Sequence, residues 1–222
     1  MSMFDMSVAQ GVKEGGKFLQ AGIHNAIFKG ISKTEIQGKT GDTFNVLVMT
    51  FEVEGFGDLE HKLFEPTSAT RVESQFGQNP SQLEQFMIAN RHLLDTANPA
   101  IAKGIDDGTV KIDAPNFASF VKKMQEYTAD FVGQSVQIKV LPTKSGFNQM
   151  PGFPAKISKT GKLYLSTSFI GKDLTLTPYE VSAIEKAKNA TPTNMAAAGN
   201  DLLAGMEADI NSTDGEDGDL PF

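Results

Sequence analysis

Thr43-Phe-Asn-Val-Leu-Val-Met-Thr-Phe-Glu-Val-Glu54 reads as one strand with two apolar faces. Phe44, Val46 and Val48 alternate in it with Leu47, Met49, Phe51 and Val53. Successive side chains of a strand point to opposite faces, so neither side of this one is suited to water. Such a strand belongs in the middle of a closed or doubly covered sheet, which predicts a central barrel strand.

The β pattern extends to both sides. Phe18 to Ile36 carries Phe18, Ile23, Ile27, Phe28 and Ile31 among Gly22, Asn25 and Gly30, a long bent strand with glycine at its kinks. Ile36 to Asp42 is a turn, and Gly55-Phe-Gly57 leads into a third strand, Asp58 to Phe64, stopped by Pro66. The period then changes. Leu83, Phe86, Met87, Asn90, Leu93 and Leu94 recur at helical spacing within Pro80–Thr96, behind a capping box of Ser81 and Glu84. Asn98-Pro99 ends this helix, and a second, Asn116 to Phe131, repeats Phe117, Phe120, Val121, Met124 and Tyr127. Strands return at Ser135–Leu141, Ala155–Ser158 and Lys162–Ile170, and Thr177-Pro-Tyr-Glu180 opens a last helix to about Asn189.

The order predicts a mainly β chain with a helical insert (α+β). The expected architecture is a five-stranded OB-fold Greek-key barrel with its helices between strands three and four. The expected boundaries are a flexible arm at 1–16, the barrel at 17–189 with its insert at about 78–132, and a disordered acidic tail at 190–222.

Charge is distributed unevenly. The 222 residues carry a net charge of −7. No Lys or Arg follows Lys188, whereas Asp201, Glu207, Asp209, Asp214, Glu216, Asp217 and Asp219 do. Without these seven, 20 acids face 20 bases and the body is neutral. Between Gln134 and Lys172 lie Lys139, Lys144, Lys156, Lys159, Lys162 and Lys172, with no acid among them. Several chemistries find no support. The chain has no cysteine, which excludes disulfides and thiolate metal sites and suits a reducing cytoplasm. Met1–Gln20 lacks the pattern of a secretory leader, and no apolar run approaches the roughly 18 residues of a membrane span, so a cytoplasmic location without membrane contact is expected. Gly38-Lys-Thr40 resembles part of a phosphate loop, but Lys33 stands where its first glycine is required. His24, His61 and His92 fall on separate elements. Neither catalysis nor a bound metal or cofactor is expected.

Two segments carry binding chemistry. The chain closes in Gly215-Glu-Asp-Gly-Asp-Leu-Pro-Phe222, an acidic, glycine-spaced peptide with an apolar end. Phe222 suits a small apolar pocket, its carboxylate suits a cation, and the acids suit a basic rim. The second segment interleaves Lys139, Lys144, Phe147, Phe153, Lys156, Lys159, Lys162 and Tyr164 around Gly and Pro. Cations neutralise phosphates and aromatic faces stack on bases, at about 1–3 kcal/mol per base. Taken singly, each of these aromatics fits a packing role as well. Taken together, with no acid to balance the lysines, they fit a nucleic-acid groove. In an OB barrel the loop between the last two strands lines that groove. Lys33, Lys39, Phe56 and Lys62, at the ends of the early strands, are weaker candidates for it.

The tip resembles that of bacterial single-stranded DNA-binding proteins, which is acidic and closes in a hydrophobic residue, Pro and Phe. The longer body with its helical insert looks more like the bacteriophage-encoded members. The resemblance implies that the barrel coats single-stranded DNA. It also implies that Asp217, Asp219, Leu220, Pro221 and Phe222 recruit replication or recombination proteins such as a polymerase, helicase, nuclease or recombinase. A strand-annealing accessory and an interaction module without nucleic-acid affinity stay open beside it, as does the oligomeric state. A seven-acid tail tethered near a cationic groove is also expected to compete with DNA for it. Deleting Asp201–Phe222 should therefore tighten single-strand binding at low salt in a fluorescence titration. Unchanged affinity would contradict the competition.

Overall fold

The structure is a computed structural model, and it describes residues 19–74, 77–143 and 147–189. The elements run β1 (Gly22–Gln37), β2 (Thr43–Val53), β3 (Gly57–Phe64), β4 (Val72–Ser74), β5 (Gly77–Asn79), α1 (Gln82–Ala97), α2 (Pro99–Asp106) and α3 (Phe117–Tyr127). A 3-10 turn at Ala129–Phe131 precedes β6 (Ser135–Pro142), β7 (Asn148–Gln149), β8 (Ala155–Ile157), β9 (Leu163–Leu165), β10 (Ile170–Gly171) and α4 (Pro178–Asn189).

The main sheet is antiparallel, strongly curled into a half-barrel, and ordered β10-β6-β1-β2-β3. Within it β6-β1-β2-β3 is the Greek-key order, a meander whose fourth strand returns beside the first. β1 makes this possible by its length. Ala26–Gln37 pairs with β2, while Gly22–Ile27 pairs with β6. A bulge at Lys29 divides the strand, because Phe28 pairs with Phe51 and Gly30 with Thr50. Strict alternation would send Phe28 and Ile31 to opposite faces. The extra residue returns both to the core, opposite Phe51 and Met49. Gly30 sits at φ 124°, in the region that only glycine enters without strain.

β2 is buried on both sides, as its two apolar faces require. Leu47, Met49, Phe51 and Val53 join the core, together with Phe86, Leu93 and Leu94 of α1 and Phe117, Phe120 and Met124 of α3. Val46 and Val48 are buried on the opposite face, where Thr34 and Phe64 flank Val46, and Ser32 and Lys62 flank Val48.

The caps set the helices. Ser81 Oγ accepts from the Glu84 N–H at 3.1 Å while Glu84 accepts from the Ser81 N–H at 2.9 Å, the expected capping box. Asn98 ends α1 and also begins α2, accepting from the Ile101 N–H at 3.2 Å ahead of Pro99. Asn98-Pro99 thus starts a helix that the sequence reading treated only as a stop. The second expected helix stops at Tyr127 rather than Phe131, and a 3-10 turn follows it.

The expected last strand, Lys162–Ile170, requires correction. Leu163–Leu165 pairs with β8 in a separate hairpin, and only Ile170–Gly171 joins the main sheet, against β6. Ser166 divides them, since its N–H and Oγ both bond the Pro154 carbonyl, at 2.7 and 2.8 Å.

β3 and β10 are the two ends of the sheet path, and side chains bridge them. His61 of β3 lies with its ring 5.1 Å from that of Phe169, which also meets His92 of α1 at 4.9 Å. His92 Nε2 accepts from the Phe169 N–H at 3.3 Å, whereas the buried Nε2 of His61 has no partner among the described residues. Burial depresses both imidazoles, His61 to about 4 from the ordinary 6.5. The unfolded chain then binds a proton at a pH where folded His61 refuses it. Stability is complete above pH 6.5 and declines as pH falls to about 4, by about 3 kcal/mol from His61. In urea titrations the midpoint should fall between pH 7.5 and 4.5, and His61→Phe should remove most of that decline. An equal decline in the variant would contradict this account of His61.

Candidate nucleic-acid interface

The β8–β9 hairpin gathers four of the residues picked from the sequence. Lys156 stands directly across from Tyr164, on the face opposite Ala155 and Ile157. Ala155 is buried and Ile157, Leu163 and Leu165 are half-buried, so this second face rests on the body. The tip turns through Ser158–Lys162. Ser158 N–H donates to the Lys162 carbonyl at 2.8 Å, its Oγ accepts from the Lys162 N–H at 3.1 Å, and Gly161 takes φ 78°. Lys159 and Lys162 project from this turn, and Lys156, Lys159 and Lys162 are all exposed. Phe153, just before the hairpin, is 56% exposed and Tyr164 is 46% exposed. Among the described residues no carboxylate forms an ion pair with these three lysines.

The remaining candidates separate. Lys139 requires correction: it is 2% exposed, held at 2.9 and 3.1 Å by the two carboxylate oxygens of Glu180. The face of β6 that carries Lys139 lies under α4, which covers it with Glu180 and Ile184. A lysine on a covered face needs a counter-charge, and Glu180 supplies it while capping α4 through the Thr177 N–H at 2.8 Å. Breaking such a pair costs about 3–5 kcal/mol, so Lys139 belongs to the fold and does not reach a phosphate. Phe147 is half-buried in a loop closed by the Thr143 N–H to the Phe147 carbonyl at 2.7 Å. Lys144 lies outside the described residues, as do Asp217, Asp219, Leu220, Pro221 and Phe222. Phe56 packs against the core from its turn. Lys33 pairs with Glu35 and Lys62 with Glu60, each at 3.1 Å and partly exposed, contacts worth about 0–1 kcal/mol that a phosphate can replace. Lys39 is exposed in the β1–β2 turn.

Phe44 and Phe64 were not singled out from the sequence. Their half-buried rings meet edge-on at 6.2 Å, on the β2–β3 face that also carries Val46, Val48 and Lys62. The alternation in β2 announced an apolar second face, but not that it would lie on the side away from the core with aromatics at its margin.

The first turn of α1 organises the surroundings of the hairpin. Gln82 Oε1 accepts from the Thr67 N–H and hydroxyl at 3.0 and 2.9 Å, and Glu84 pairs with Arg71 ahead of β4. The Arg71 guanidinium, with the Ser81 N–H, holds the Glu84 carboxyl below its ordinary range. Gln85 bonds the backbone of Ala155 in β8. An open apolar pocket of about 250 Å³ between α1 and α3, lined by Leu83, Met87 and Phe117 among others, contains no Lys or Arg to meet a phosphate. Among the described residues no group of three or more His, Asp or Glu is arranged to hold a metal ion, and no helix is long and apolar enough to cross a membrane. The sequence matches no protein-family model and no curated protein.

Proposed function

We propose that this chain binds single-stranded DNA without regard to sequence and recruits other proteins through its C-terminal tip. The observation that carries the reading is the β8–β9 hairpin, with three exposed lysines, no acid on the segment, and Tyr164 and Phe153 available for stacking. Cations on a flexible backbone track combined with aromatic faces are what single strands require, since every base has a face and every nucleotide a phosphate.

The fold supports the same reading. A Greek-key half-barrel with its helices inserted between the third and fourth strands of the main sheet fits an OB-type barrel, whose nucleic-acid surface is the face of strands two and three with the neighbouring loops. The corresponding β2–β3 face here carries Phe44, Phe64 and Lys62, and the β8–β9 hairpin lies in the segment that leads to the last strand of the sheet, which supports the reading. The acidic Leu-Pro-Phe terminus, similar to that of bacterial and bacteriophage single-stranded DNA-binding proteins, supports a role at replication or recombination intermediates in a bacterial host's cytoplasm.

The full chain titrated into fluorescent oligo(dT), with duplex of equal length as control, should bind the single strand alone and weaken steeply with salt. Replacing Lys156, Lys159 and Lys162 by Gln should lower the salt slope by about 2, because each phosphate neutralised on a single strand contributes roughly 0.7. Absence of single-strand binding, with and without residues 201–222, would contradict the proposal and leave an interaction module.

A further inference from the structure

Gln85, one turn into α1, makes an unusual contact with the hairpin. Its Nε2 donates to the Ala155 carbonyl at 2.9 Å and its Oε1 accepts from the Ala155 N–H at 2.8 Å. A carboxamide that both donates to and accepts from one residue reproduces the paired bonds a neighbouring strand would make. The other edge of β8 is occupied by β9. Among the described residues, these two bonds are the hydrogen bonds that join residues 154–166 to the rest of the fold. Apolar support comes from buried Pro154 and Ala155 and from the half-buried Ile157, Leu163 and Leu165, on one face only. A two-strand hairpin of this size is marginally stable at best on its own in water. Beside this packing on α1 and β5, its polar attachment to the helical insert runs through one side chain.

We propose that Gln85 is the positioning residue that holds Lys156, Lys159, Lys162 and Tyr164 along the path of the nucleic acid; this rests on the single-strand reading above. Without Gln85 the lysines keep their charge but lose a fixed place, and each phosphate contact must then order the hairpin as well. The proposal also gives the helical insert a part in binding: α1 sets the geometry of a surface to which it contributes no cation.

The test compares the wild-type chain, Gln85→Ala, Gln85→Glu, the triple variant Lys156→Gln/Lys159→Gln/Lys162→Gln, and the triple variant carrying Gln85→Ala. Each is titrated with oligo(dT) over a salt series, and amide exchange is followed by mass spectrometry. Gln85→Ala should speed exchange across 156–165 while β1, β2 and β6 keep their protection. Loss of two hydrogen bonds should weaken oligo(dT) binding about tenfold. Gln85→Glu should match it, because a carboxylate cannot donate to the Ala155 carbonyl. In the triple lysine background Gln85→Ala should add only the small remaining loss from Tyr164, an outcome that general damage to the fold would not give. Weakening of equal size in that background overturns the proposal, since Gln85 would then act elsewhere. Normal binding and exchange in Gln85→Ala beside a weakened triple variant overturns it and leaves the interface intact. A triple variant that binds like wild type overturns the interface reading and this inference with it.

Discussion

The double pairing of β1 is the constraint on which the rest of the molecule depends. One strand serves β2 along most of its length and β6 at its beginning, so the early meander and the late strands share a single backbone. That sharing requires the strand to bend without losing its core face. The bulge at Lys29, followed by Gly30 at a positive φ, achieves both, and Phe28 and Ile31 reach the same core on either side of it. With β1 placed, β2 lies between β1 and β3 with Val46 and Val48 buried on the face away from the core, and β6 presents Val136, Ile138 and Val140 to the core. The helices then fill the space that the curled sheet leaves open.

The same topology divides the lysines of the acid-free segment into two kinds. Lys139 is carried by β6 onto the face under α4, where a carboxylate that caps the helix also neutralises it. Lys156, Lys159 and Lys162 are carried outward on a small hairpin that the main sheet does not include. A charge buried against its partner cannot serve a ligand, whereas an unpaired surface charge loses little when it meets a phosphate. The electrostatic block read from composition is thus partly a structural element and partly a surface.

Much of the architecture was legible in the residues. The two-faced alternation of β2 announced a central strand, Gly30 announced the bend in β1, and Ser81 with Glu84 announced the start of α1, because each rests on local geometry. What escaped depends on contacts distant in sequence. Nothing near Lys139 indicates that a helix beginning about forty residues later will cover it, although Thr177-Pro-Tyr-Glu180 did mark that helix. The division of Lys162–Ile170 follows from Ser166 bonding back to Pro154, and Gln85 meets Ala155 at a separation of 70 residues. Asn98-Pro99 was readable but half read: asparagine followed by proline stops one helix and, equally, caps the next. For the surface, residue type picked out the exposed aromatics Phe153 and Tyr164, while Phe56 shows that a ring in a turn can equally be packing.

Photocrosslinking tests the central claim most directly. A single-stranded oligonucleotide containing 5-iodouracil is bound at low salt, irradiated, and its adducts mapped by mass spectrometry. The account predicts adducts at Tyr164 and Phe153, with further ones at Phe44 or Phe64, and their loss when the hairpin lysines are replaced. Adducts confined to α2 and α3, or a yield indifferent to those lysines, would contradict it.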